Sequence, residues 1–176
     1  LIWHTKESRA KIITALNYIL EDGRPPRQFS LPATEDMIPD MDLRMYIDQG
    51  VWVISTIYTY LCYTDDYSIL DEECSYYVAN EDNTWIERKS SIRDSVLDHM
   101  VKIMDYLISK LDREYNTNCL RALTGDWNDA IDGLGKPLDP TKKFGSGVTV
   151  MASLQLYQNL REMTELLTRL GKYTEK

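Results

Sequence analysis

Several residue types are scarce in this sequence, and each shortage narrows what the chain can be. Cysteine occurs three times, at Cys62, Cys74 and Cys119. An odd, widely spaced set indicates neither a disulfide framework nor a paired-cysteine metal site. The two histidines, His4 and His99, stand far apart with no carboxylate–histidine ligand spacing around them, which argues against zinc. Basic residues are in deficit: 20 Lys and Arg against 28 Asp and Glu leave a formal net charge of -8. That balance argues against a nucleic-acid backbone as partner and offers an anionic membrane no attraction. No apolar run approaches the roughly 20 residues of a membrane span, and no signal peptide precedes the first helical pattern. A reduced, soluble, cytoplasmic protein is the expectation. Phenylalanine is nearly replaced by tyrosine, 2 against 12, a bias that suits a sugar-lined cleft and equally suits helix interfaces.

What is present is helical periodicity. The chain has 176 residues, one ordinary domain's worth. It opens on Leu1 inside a helical pattern and closes on Lys176 without a finishing motif, which reads as a segment of a longer protein. Apolar residues at Ile12, Ile13, Leu16, Ile19 and Leu20 mark a first helix that Gly23 stops. Arg24 to Asp40 holds prolines at 25, 26, 32 and 39 and reads as a long loop over a cleft, with Arg24, Arg27 and Gln28 as solvated residues. A second helix is expected from Met45 to Tyr63, then a turn and a short helix over Ile69 to Cys74. Ala79 to Ser90 reads as polar loop. Ser90 or Ser91 would cap a third helix striped by Ile92, Val96, Met100, Ile103, Met104, Leu107 and Leu111. Lys136 to Gly147 is punctuated loop, and a fourth helix spans Val148 to Leu170. No useful strand alternation is visible, so an all-α fold is expected.

Between the last two helices lies Leu123-Thr124-Gly125-Asp126-Trp127-Asn128-Asp129-Ala130-Ile131-Asp132-Gly133. Asp and Asn bond their own backbone and favour turns and helix starts, so this could be an ornate connection and nothing more. A turn gains little from an indole between polar residues, however. A flat ring beside carboxylates is a common sugar-binding arrangement, the face packing on C–H groups while the acids bond hydroxyls or move protons. The segment from Asn128 to Asp139 also partly mimics a calcium loop, but Ala130 at the third position, Lys136 at the ninth and the missing terminal Glu weaken that reading.

Gly125-Asp126-Trp127-Asn128-Asp129 resembles the signature of the inverting disaccharide and oligosaccharide phosphorylases of glycoside hydrolase family 94. Further landmarks follow in family order: Leu20 to Gly23, Tyr46 to Trp52, Thr64 to Glu72, Ser95 to His99 and Gly145 to Val148. The resemblance implies that residues 1–176 are a single segment, about half, of an (α/α)6 barrel. An N-terminal β-sandwich and the later helices carrying most of the phosphate site would lie outside it, leaving the isolated segment inactive. By the same resemblance Asp129 is the general acid and Trp127 a sugar platform. Asp48 is a hydroxyl ligand, Gln49 stands where a second Asp is usual, Arg44 is a further ligand, and Asp126 and Asn128 support the turn. No cofactor is implied beyond inorganic phosphate as co-substrate. The implied partners are phosphate and an oligosaccharide, and the resemblance allows a homodimer of the full-length protein. Ordinary inverting hydrolysis needs a second carboxylate to activate water. Phosphate is already anionic, so one acid suffices. Were Asp126 a helix cap, the helix dipole would favour ionised Asp129, while burial and the Asp126 charge would favour the protonated acid. A hydrolase on the same barrel and a non-catalytic helical scaffold are the competing readings.

Overall fold

The apolar stripes do become helices, though not at the bounds that periodicity suggests. A computed structural model describes residues 4–34, 37–128, 137 and 139–171. Within them lie α1 (Thr5–Leu16), α2 (Gln49–Thr64), α3 (Val96–Ser109) and α4 (Val150–Arg169). Helix α1 ends well before Gly23 because the chain leaves it to pair with a strand. The Asn17 side chain donates to the Ile13 carbonyl at 2.8 Å and accepts the Ser75 amide at 2.8 Å, closing the helix and joining it to its neighbour. Two residues on, Ile19 accepts the Tyr77 amide and Glu21 donates to the Tyr77 carbonyl.

The expectation of an all-α chain, half of an (α/α)6 barrel, is overturned by three antiparallel two-stranded sheets. Strand β1 (Gln28–Phe29) pairs with β2 (Met41–Asp42), β3 (Glu73–Ala79) with β4 (Ile86–Ser95), and β5 (Leu120–Arg121) with β6 (Val148–Thr149). The fold is mixed α and β. Strand β4 begins inside what reads as polar loop and runs on through the stretch read as the start of the third helix. Its burial falls on Ile86 and Ser90, four residues apart, instead of on alternate residues, because its register with β3 shifts twice. Bulges of this kind erase the period-two signal by which a strand is recognised. The turn between β3 and β4 is built by the Asn80 carboxamide, which accepts the amides of Thr84 and Trp85 at 2.8 and 3.1 Å. Only a 3-10 turn, Tyr67–Asp71, stands where a short helix through Cys74 is expected.

Helix α3 starts at Ser95 and not at Ser90 or Ser91. The Ser95 hydroxyl accepts the Asp98 amide, and the Asp98 carboxylate accepts the Ser95 amide, a reciprocal capping box. The core lies where the helices meet: Leu16 of α1, Ile54 of α2, Met100, Ile103 and Leu107 of α3, and Ala152 of α4 are fully buried. Helices α2 and α3 approach closely at Gly50, where a Cβ would lie 2.9 Å from Ile103 Cγ2. His99 is buried under the hairpin, its ring stacked 4.0 Å from that of Tyr76 and its Nδ1 3.0 Å from the Ser95 carbonyl oxygen. Burial pushes its pKa below the usual imidazole range.

The loop after α1 is also anchored. Arg24 is 2% exposed, contrary to the solvated reading, and donates to the Leu43 carbonyl at 2.8 Å and to Asn83 Oδ1 at 2.6 Å. It thereby joins the tip of the β3–β4 hairpin to the segment that leads into α2. Preceding it, Gly23 adopts φ +85, and a Cβ there would sit 2.2 Å from the Lys102 carbonyl oxygen. Gly23→Ala combines a left-handed backbone with a clash against helix backbone. It should destabilise the protein by roughly 2–5 kcal/mol, read as a lower urea midpoint at unchanged m-value.

Candidate functional site

The aspartate-rich stretch is held by backbone pairing with the segment that precedes α2. Thr124 donates to the Met45 carbonyl at 3.1 Å, and Ile47 donates to the Gly125 carbonyl at 3.0 Å. Tyr46 forms bridges to both Leu123 and Gly125, and Leu123 takes up φ +50 to allow them. Asp48 and Asp126 each follow one member of the Ile47–Gly125 pair. Both are buried, at 2% exposure.

Their carboxylates are fully engaged. Asp48 Oδ1 accepts from Gln49 Nε2 at 3.1 Å, and Oδ2 accepts from the Trp52 indole N–H at 2.9 Å. Burial pushes the Asp48 pKa up, the two hydrogen bonds oppose it, and the charge of Asp126 adds to the rise. Asp126 Oδ1 accepts the Asn128 amide at 2.8 Å, while Oδ2 accepts the Thr149 hydroxyl. An aspartate accepting the amide two residues on makes an Asx turn. Within it Trp127 stands out at 71% exposure. Asn128 is also exposed. Asp129, the expected general acid, lies outside the described residues, as does most of the calcium-like loop after it.

The expected residues therefore divide into a buried pair and outward-facing neighbours. Gln49 and Trp52 line an open cavity of about 660 Å³ between α1 and α2, together with Glu7, Lys11 and Val53. Arg44 faces a different cavity, of about 530 Å³, shared with Asn83, Thr124, Lys143 and Phe144. Its guanidinium makes a forked pair with Asp42, at 3.0 Å from Nε and 2.6 Å from Nη2, and holds that carboxyl below the usual carboxylate range. Both Arg27 and Arg44 also lie over the Tyr46 ring, at 4.4 and 5.6 Å from its centroid. Arg44 thus braces the Tyr46 segment through its ring.

Two functional neighbours escape a reading of the sequence. Trp52 carries a helical spacing that marks it as one more face residue, with no sign that its N–H is aimed at Asp48. Thr149 could have been found as a helix cap, since Thr stands directly before an apolar-periodic run. Its bond to Asp126, 23 positions away, has no sequence signal. Among the described residues no group of three or more His, Cys, Asp or Glu could hold a metal ion, and no helix is long and apolar enough to cross a membrane.

Residues 10–176 match the model of the glycosyl hydrolase 94 superfamily, catalytic domain. The chain belongs to that family. It is also 29% identical over 159 residues to a solabiose phosphorylase of Paenibacillus borealis, an overlap covering 90% of this chain and 17% of that protein. This family 94 chain thus spans about a sixth of the relative's length. The Asp126 turn lies within the matched region.

The Asp48 geometry has a consequence for stability. A carboxyl whose folded pKa is raised contributes stability that is present below its ordinary value, about 3.9, and is lost as pH rises through the folded value. Asp48→Asn removes that loss, and a turned Gln49 carboxamide can keep both hydrogen bonds. At pH 7 the variant should melt higher than the wild type. In calorimetry the difference should vanish below about pH 4.

Proposed function

We propose that this chain is part of an inverting glycoside phosphorylase that cleaves a β-linked gluco-oligosaccharide to an α-sugar 1-phosphate, with Asp129 as general acid. The observation that carries the reading is the Asp126 turn. A buried carboxylate fixes the Asn128 amide at 2.8 Å, and the indole before it stays 71% exposed. Turns that need only to connect helices gain nothing from presenting a large apolar ring to solvent. A ring held out beside a rigid backbone offers a stacking face to a sugar, and the residue after Asn128 is Asp129.

In this reading the Asp129 carboxyl gives its proton to the glycosidic oxygen as the C1–O bond breaks. A phosphate oxygen attacks C1 from the opposite face, so configuration inverts and the aglycone departs as an alcohol. The phosphate dianion supplies the nucleophile that water would otherwise need a second carboxylate to become. Trp127 supports the sugar ring beside the scissile bond, and Asn128 and Asp126 keep the turn in shape. Asp48 is buried, so its part in binding sugar hydroxyls runs through Gln49, whose carboxamide it orients, while the single N–H of Trp52, given to Asp48, fixes that ring beside it. Arg44, already forked to Asp42, lines the neighbouring cavity and is the proposed ligand of a further hydroxyl. Phosphate and a saccharide are the ligands required, and no organic cofactor enters this chemistry. The relative's name makes solabiose a substrate to include beside the gluco-oligosaccharides.

The test uses the complete polypeptide encoded by the gene. It should release phosphate from α-glucose 1-phosphate only in the presence of an acceptor, and should consume phosphate when given the matching oligosaccharide or solabiose. Asp129→Asn should lower kcat by roughly 10²–10⁴-fold, the usual worth of a positioned general acid. Cleavage at full rate without phosphate would make the protein a hydrolase. Phosphorolysis undiminished in Asp129→Asn would remove that residue from the mechanism.

A further inference from the structure

We propose that Thr149 is a positioning residue for the phosphorolytic reaction, setting the Trp127–Asn128 turn through Asp126. The inference rests on the phosphorolytic reading above and extends it to a residue outside the aspartate-rich stretch.

Thr149 is unusually well fixed. It is 4% exposed and stands at the N-cap of α4, where its Oγ1 accepts the Ala152 amide at 3.3 Å. Its backbone pairs with Leu120 in β5, and beside it Ala122 donates to the Gly147 carbonyl at 2.8 Å. The Ser153 hydroxyl donates to the Thr149 carbonyl, and Ser153 Oγ accepts the Leu120 amide at 2.8 Å. Cap, strand and first helical turn therefore hold Thr149 from three directions.

A threonine hydroxyl has one proton to give. With Ala152 N–H occupying a lone pair on Oγ1, that proton goes to Asp126 Oδ2. Asp126 thus bridges two fixed points: the α4 cap on one oxygen and the Asn128 amide on the other. Where the turn sits relative to α4 is set by this hydroxyl, and Asn128 directly precedes the proposed acid. A cap alone would need no carboxylate facing it, since Thr149 could cap α4 with its hydroxyl hydrogen directed anywhere. The buried carboxylate gives the hydroxyl its second role.

A misplacement of about 1 Å costs roughly 10²-fold in rate, so loss of the hydroxyl should appear in kcat. In the complete polypeptide, Thr149→Val should lower kcat by about 10–100-fold while KM for the acceptor stays within about twofold. Thr149→Ser, which restores the hydroxyl, should recover most of the rate. Because Val also removes the cap, Thr149→Gly serves as the second variant: Gly is tolerated at an N-cap and should show the same loss in kcat. In an Asp126→Ala background, Thr149→Val should have little further effect on kcat, since both act through one link. A purely structural cap would instead lower the melting temperature equally in both backgrounds and leave kcat per folded molecule unchanged, which would overturn the proposal. Failure of the wild type to turn over any donor and acceptor would overturn the phosphorolytic reading and the proposal with it. An active wild type with undiminished Thr149→Gly would overturn this proposal alone.

Discussion

The backbone pairing between Met45–Ile47 and Leu123–Gly125 is the constraint on which the rest of the site depends. It comprises two hydrogen bonds, at 3.1 and 3.0 Å, and the bridges that Tyr46 makes to Leu123 and Gly125. Those contacts bring together segments nearly eighty residues apart and put Asp48 and Asp126 on neighbouring paths into the interior. Burial of two carboxylates is costly unless their oxygens are occupied. The chain meets that requirement with an indole, a carboxamide, a backbone amide and a threonine hydroxyl. Three of the four donors belong to α2 or to the cap of α4, whose positions are fixed by the hydrophobic core.

The small sheets follow from the same need. Segments that run between helices carry amides and carbonyls that must be satisfied once buried. Strands β1 and β2 close the proline-containing loop, β5 and β6 bring the two ends of the aspartate-rich region together, and the β3–β4 hairpin covers His99 through Tyr76. Arg24 adds a buried cation that joins the hairpin tip to the Leu43 carbonyl. These devices sit around the ends of the helices and leave their packed faces untouched. That is why a helical pattern survives in a fold that is not all-α.

Function in such a site depends on separating rigid groups from accessible ones. Asp48 and Asp126 are rigid and hidden; Trp127, Gln49 and Asn128 are their outward-facing dependants. A buried carboxylate has little surface to offer a sugar hydroxyl, but it can hold its donors in place. Precise holding matters to the proposed phosphorolysis, whose acid must reach one glycosidic oxygen while phosphate approaches the opposite face.

The amino-acid sequence determined the family, through Gly125 to Asp129 and the ordered landmarks around them, and it determined the four helices, because a 3.6-residue apolar stripe is a local property. It also marked Asp48, Gln49, Trp127 and Asp126 as residues of interest. Tertiary structure alone decided which of them are buried. Strand β4 was hidden because its bulges break the alternation, and the early end of α1 was hidden because Asn17 and Ile19 bond a strand nearly sixty residues later. The Thr149–Asp126 and Trp52–Asp48 bonds were likewise illegible. Hydrogen bonds between side chains depend on where the backbone places them, and spacing along a chain carries no record of that.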